Sequence, residues 1–197
     1  VYRAQGDLSY IPELWYEFPV ETAVGIPMAK NYVFVFDYNN DGYLDVLLKP
    51  SSLVPDNNGL LSYQHMNLLE NQQGASFAWA QSFGLADKYD LIAVSDYDND
   101  GDTDIYAQFK GNIFDLDTVA LDTIWVNEFA TNANQPFTEQ SSPYTPKTST
   151  HFGAGQVAFI DYDNDGNKDI FFPYSDKGLN RLFRDSGDHV TYEERAA

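Results

Sequence analysis

Asp161-Tyr162-Asp163-Asn164-Asp165-Gly166-Asn167-Lys168-Asp169, set between Val157–Ile160 and Ile170–Phe172, decides the fold. Acids alternate through its first half, a glycine follows, and an aspartate closes it. The arrangement occurs twice more. Asp37–Asp45 (DYNNDGYLD) lies between Val33–Phe36 and Val46–Leu48, and Asp96–Asp104 (DYDNDGDTD) lies between Leu91–Val94 and Ile105–Ala107. The flanking runs are short, β-branched and aromatic, and Asn, Asp and Gly bound them, so they read as strands. Their near-continuous apolar character predicts cover on both faces. Each copy is therefore predicted to be a β-hairpin with an acidic loop at its tip.

A second half-repeat follows each hairpin. Leu68–Trp79, Thr123–Phe137 and Asn180–Glu193 each read as strand, polar turn and strand. Near the N-terminus, Tyr2, Arg3, Gly6, Asp7 and Tyr10 match Phe183, Arg184, Gly187, Asp188 and Tyr192. Loops that recur at roughly 60-residue intervals are too far apart for a solenoid rung and fit a unit of about four strands. The expected organisation is half a unit over 1–20, then whole units over 21–85, 86–145 and 146–197. Ser51–Gly59 reads as a polar linker. Ser141–Thr150 reads as a Ser/Thr/Pro connector, either a plain exposed loop or a carrier of O-linked sugar. No Asn-x-Ser/Thr sequon occurs, so N-glycosylation is not expected.

The loop pattern is D-x-[DN]-x-D-G-x-x-D. Copy one supplies Asp37, Asn39, Asp41, Tyr43 and Asp45; copy two supplies Asp96, Asp98, Asp100, Asp102 and Asp104; copy three supplies Asp161, Asp163, Asp165, Asn167 and Asp169. Calcium takes six to eight hard oxygens in a flexible shell. Side chains at positions 1, 3 and 5 converge if the backbone curls, Gly at position 6 permits the turn, and the position-7 carbonyl points inward. Asp at position 9 closes the shell. This is half of an EF-hand-like loop with strands in place of helices and the closing acid at nine instead of twelve. Magnesium, which keeps its water, and zinc, which wants His or Cys, suit the loops less. Asn-Asp-Gly is also a good hairpin turn with no ligand at all. Three acid clusters, however, repel themselves unless a cation sits among them. About three Ca²⁺ ions are expected. Charge count ranks copy two first and copy one, with Asn39 in place of an acid, last; Lys168 slightly offsets copy three.

The motifs resemble FG-GAP/VCBS repeats, the calcium-loop blades of integrin α-chain β-propellers and of related secreted ASPIC-type proteins. Phe152-Gly153-Ala154-Gly155 is similar to that family's Phe-Gly…Gly-Ala signature, and Phe83-Gly84 is a weaker echo. The resemblance implies an all-β chain of four-stranded antiparallel propeller blades, about three and a half of them, each with a Ca²⁺ loop between its first two strands. Seven blades usually close such a ring, so further blades or neighbouring subunits are expected to complete it.

Composition sets the remaining limits. The 197 residues carry 30 acidic and 11 basic side chains, for a net charge of −19. That field repels phosphate backbones and anionic lipid, so nucleic acid is not an expected partner. The chain has no run long and apolar enough to insert in a membrane. Cysteine is absent, which excludes disulfides and thiolate metal sites within these residues. His65, His151 and His189 are scattered. There is no G-x-S-x-G, Walker A or H-E-x-x-H motif, and Glu13, Glu17, Glu70, Glu128 and Glu139 stand in no telling context, so no enzyme activity is expected. Trp15, Trp79 and Trp125 either pack in the core or stack on sugars. Three functions fit. One is an extracellular or cell-surface calcium-binding module for adhesion to a protein or glycan ligand, with structural calcium. Another is a subunit of an extracellular filament or sheath assembled head to tail. The last is a non-catalytic domain of a secreted enzyme.

Overall fold

A computed structural model of the chain describes residues 2–4, 10–12, 31–50, 53–55, 61–63, 65–85, 89–109, 122–141, 157–173, 180–187 and 192–196. Its strands are β1 (Tyr2–Ala4), β2 (Tyr10–Pro12), β3 (Asn31–Phe36), β4 (Asp45–Pro50), β5 (Leu53–Pro55), β6 (Leu61–Tyr63), β7 (His65–Asn71) and β8 (Phe77–Leu85). They continue with β9 (Tyr89–Ser95), β10 (Asp104–Phe109), β11 (Thr123–Asn127), β12 (Phe137–Ser141), β13 (Ala158–Ile160), β14 (Asp169–Phe172), β15 (Arg181–Asp185) and β16 (Tyr192–Ala196). The described chain is all-β. Trp15, His151, His189, Glu13, Glu17, Phe152–Gly155 and most of the Ser141–Thr150 connector lie outside the described residues.

Three four-stranded antiparallel sheets carry the repeats, in the orders β3-β4-β7-β8, β9-β10-β11-β12 and β13-β14-β15-β16. In each, the acidic loop joins the first two strands. The predicted second half-repeats are the third and fourth strands, as in β11 with β12, where Thr123 faces Ser141 and Asn127 faces Phe137. The Ser51–Gly59 stretch differs from its reading as a plain linker. Leu53–Pro55 pairs with Leu61–Tyr63 as a small hairpin of its own, because Leu-Val-Pro and Leu-Ser-Tyr bracket a turn-forming Asp-Asn-Asn-Gly. Strands β1 and β2 form a separate two-stranded pair, Arg3 opposite Ile11.

The chain falls into two units: Val1–Val35 with Asp41–Ala86, and Phe36–Asn40 with Asp87–Ala197. In the first unit Leu47, Met66, Leu68, Leu69 and Phe83 form the buried set, drawn from β4, β7 and β8. Val33 and Val35 stay about half exposed, at 55% and 52%. The apolar run of β3 is thus not covered on both faces.

In the second unit the sheet of β9–β12 packs on the sheet of β13–β16. Ala93, Tyr97, Tyr106, Ile124 and Val126 meet Val157, Ile170, Phe172 and Phe183 in one cluster, with Phe159 against it. Tyr106 is its centre, edge-on to Phe159 at 5.8 Å and to Phe172 at 6.2 Å between ring centroids. Such aromatic contacts add about 0.5–1.5 kcal/mol each beyond burial. The buried phenol of Tyr106 hydrogen-bonds the buried carboxylate of Asp122. Residues 36–40 join this unit through Tyr38. Its ring rests edge-on to Phe129 at 5.4 Å, and its carbonyl accepts the Asn127 side-chain amide at 2.7 Å.

Candidate metal centre

Each acidic loop is shaped by its own side chains. In copy two, Asp96 accepts from the backbone N–H groups of Asp100 (3.1 Å) and Gly101 (3.2 Å), and Asp100 accepts from Asp102 N–H (2.9 Å). Copy three repeats this. Asp161 accepts from Asp165 and Gly166 N–H, both at 3.1 Å, and Asp165 from Asn167 N–H at 2.9 Å. In copy one Asp41 accepts from Tyr43 N–H at 2.8 Å. Positions 1 and 5 therefore curl the backbone before any ion is considered. Gly42, Gly101 and Gly166 take φ of 85°, 98° and 93°, where a Cβ is strained.

Position 4 carries a signal that spacing arguments missed. Asn40, Asn99 and Asn164 all adopt left-handed φ, at 56°, 59° and 59°, which Asn tolerates better than other side-chain-bearing residues. The amides of Asn40 and Asn99 also reach the following loop. Asn99 Nδ2 donates to Gly166 O at 2.8 Å, and Asn40 Nδ2 donates to Asp102 and more weakly to Gly101 O at 3.5 Å. The identity of this residue in all three copies was the available clue.

Position 9 does more than close a shell. Asp104 is 2% exposed. Its Oδ2 accepts Tyr97 N–H at 2.9 Å and its Oδ1 accepts Asn127 N–H at 2.8 Å. Asp169 does the same with Tyr162 (3.1 Å) and Asp185 (2.9 Å), and Asp45 accepts Asn71 N–H at 2.8 Å. The side-chain oxygens of Asn71, Asn127 and Asp185 then accept the N–H of Gly74, Phe129 and Gly187, which starts the second turn. One buried carboxylate thus ties the acidic loop to the third strand and its turn.

The carboxylates come together in two loops. One ligand oxygen each from Asp96, Asp98 and Asp104 lies within 4.8 Å of the others, and the same holds for Asp161, Asp163 and Asp169. These are positions 1, 3 and 9. Asp100 and Asp165, at position 5, lie outside these two groups. Asp102, expected to contribute its carbonyl, has its carboxylate bound by the Asn40 amide. Copy one is divided between the units: Asp37 and Asn39 fall with the second, Asp41, Tyr43 and Asp45 with the first.

The donor set is all oxygen and anionic, which fits a hard cation and offers nothing to a soft one. The charge is also under stress. Burial, opposed by the Asn127 and Tyr97 N–H bonds and reinforced by Asp98 and Asp100, pushes Asp104 up to about 7. Burial likewise raises Asp169. Two Asp clusters in this chain can therefore hold a metal ion.

Of the other candidates, Trp125 is buried and edge-on to Tyr89 at 5.3 Å, so it is a core residue. Trp79 is exposed, its indole N–H directed to Ser82 Oγ at 3.2 Å. His65 Nδ1 bonds Phe83 O at 2.8 Å. Glu128 accepts the Thr138 hydroxyl at 2.6 Å. None of these four joins a cluster of potential ligands. No family model matches the chain, and no curated protein matches it at a significant level.

Proposed function

We propose that the chain is a calcium-binding segment of an extracellular β-propeller of the FG-GAP/VCBS kind, serving adhesion or the binding of a protein or glycan ligand. The observation that carries this reading is the convergence of three carboxylates on one point in both loops of the second unit. Loop backbones already held by Asp96 and Asp161 support it, because a preorganised shell costs less to close. When bound, calcium supplies the positive charge that lets Asp96, Asp98 and Asp104 remain ionised together. The chain's own residues do the rest. Asp104 and Asp169 hold loop to sheet, and Asn99 holds loop to loop. Structural calcium and exposed loops suit a binding surface more than a catalytic centre.

Further sheets of the same kind suit the exposed positions. Ile160 and Tyr162 are 39% and 41% exposed, whereas Phe36 and Tyr38, at the same positions of copy one, are buried. That contrast favours additional repeats over an isolated segment. It also favours the second reading, head-to-tail assembly of separate chains, and native mass at rising concentration separates the two.

The ion is tested directly. Calorimetric titration of chelator-stripped protein with CaCl₂ is expected to show binding in the range of extracellular calcium modules, about 10⁻⁴–10⁻³ M or tighter, with MgCl₂ much weaker. Asp96→Asn is expected to remove one site. An unchanged titration for that variant, or equal binding of both ions, contradicts the proposal.

A further inference from the structure

The third acidic loop carries a cation of its own. Arg184, on β15, donates from Nε to Asp163 Oδ2 at 2.7 Å and from Nη2 to a carboxylate oxygen of Asp165. One guanidinium thus bridges positions 3 and 5. Asp163 is also one of the three carboxylates gathered in that loop. Arg184 is half-buried, whereas Asp163 and Asp165 lie at the surface, so water screens the pair and its own contribution to stability is small.

Neither of the other two copies with an acidic loop has a basic residue at the position of Arg184. The residues whose N–H groups bind the position-9 carboxylates are Asn71, Asn127 and Asp185. The residues just before them are Glu70, Val126 and Arg184. The same strand position is thus acidic beside loop one, apolar beside loop two and cationic beside loop three. Val126 packs into the core, whereas Arg184 turns its charge onto the loop. The pairing keeps the Asp163 carboxyl below its usual range, chiefly through the Arg184 hydrogen bond.

We propose that Arg184 is a built-in competitor for calcium at loop three, which sets this loop apart as a low-affinity site that opens only when calcium is abundant. The inference rests on the calcium reading above. A divalent ion on Asp163 must either displace the guanidinium or bind beside a fixed positive charge. Charge–charge repulsion at a few ångströms, even well screened, weakens binding by about tenfold or more. This reverses the ranking drawn from loop acids alone, which places copy three above copy one. Loop two fills first and rigidifies its part of the sheet edge. Loop three then responds to calcium over a higher range, and Arg184 takes over as counter-charge when calcium falls.

The test is a calcium titration of the 197-residue chain followed by ¹⁵N NMR. The Gly101 and Gly166 amides report the two loops separately, because each donates to the position-1 carboxylate of its own loop. Gly166 is expected to respond at calcium concentrations about tenfold or more above those for Gly101. Arg184→Gln is expected to bring the two responses together, and Arg184→Met, which keeps the apolar stem, to do the same if the Gln variant folds poorly. Arg184→Lys keeps the charge and is expected to retain the lag. Without calcium, the neutral variants are expected to melt below the parent, and with saturating calcium to gain more from the ion. If Gly101 responds but Gly166 responds equally early, or if the neutral variants leave the lag unchanged, the competitor role is overturned while the calcium reading stands. If neither amide responds in any variant, both fall.

Discussion

Asp104→Ala is expected to be the most damaging single substitution in the second unit. The carboxylate is buried and accepts two backbone N–H groups, from Tyr97 and Asn127. Alanine leaves both donors without an acceptor in a site that water barely reaches. Each unsatisfied buried group costs about 1–3 kcal/mol, so the loss of two is about 2–6 kcal/mol in calcium-free protein. For a chain near this size that lowers Tm by roughly 4–24 °C. The damage spreads because Asn127 also holds the Tyr38 and Thr103 carbonyls and the Phe129 N–H. Asp104→Asn keeps one acceptor oxygen and is expected to lose about half as much. Urea denaturation of the three proteins measures this. A loss below about 1 kcal/mol for the alanine variant, less than one unsatisfied buried group costs, shows that the donors find other partners.

Calcium-free protein is expected to lose stability as pH rises from about 4 to 7. Asp104 titrates near 7 in the folded chain and near 3.9 in an unfolded one. Between those values the folded chain holds a proton that the unfolded chain has released, so unfolding releases it and becomes easier as pH increases. The stabilisation is present in full below pH 4 and gone above 7, and its upper size is about 4 kcal/mol. The raised Asp169 carboxyl adds in the same direction. A bound cation favours the ionised carboxylates and flattens the slope. Asp104→Asn removes most of it. Thermal melts across this range, with chelator and with calcium, read all three arms. A calcium-free profile that rises from pH 4 to 7 contradicts the assignment.

The hairpins and their acidic tips were legible in the sequence because short-range spacing encodes them. D-x-D-x-D-G forces its own turn, and the β-branched runs beside it have few options but strand. The four-strand period followed from counting. What stayed hidden depends on pairing between strands far apart in sequence. Counting oxygens marked Asp104 as a candidate ligand but not as the acceptor for Asn127, which arrives from β11. Arg184 stood out in the sequence only as the match to Arg3, and the register of β14 with β15, Ile170 opposite Phe183, is what sets it beside the loop. Asn40, Asn99 and Asn164 were visible as a repeated letter, but the bonds that Asn40 and Asn99 make to the next loop join residues about 60 positions apart, which local spacing does not encode. The hairpin at β5 and β6 was masked by its polar composition.

These loops are expected to bind calcium, and the fold to depend on it. Differential scanning calorimetry at pH 7.5 compares the protein in EDTA with the protein in calcium at about a hundred times the dissociation constant of the weaker site. Each filled site then adds about 2.7 kcal/mol or more. Two sites are expected to raise Tm by about 10 °C or more, with magnesium giving little of the effect. The same melting curve in EDTA and in calcium contradicts the account.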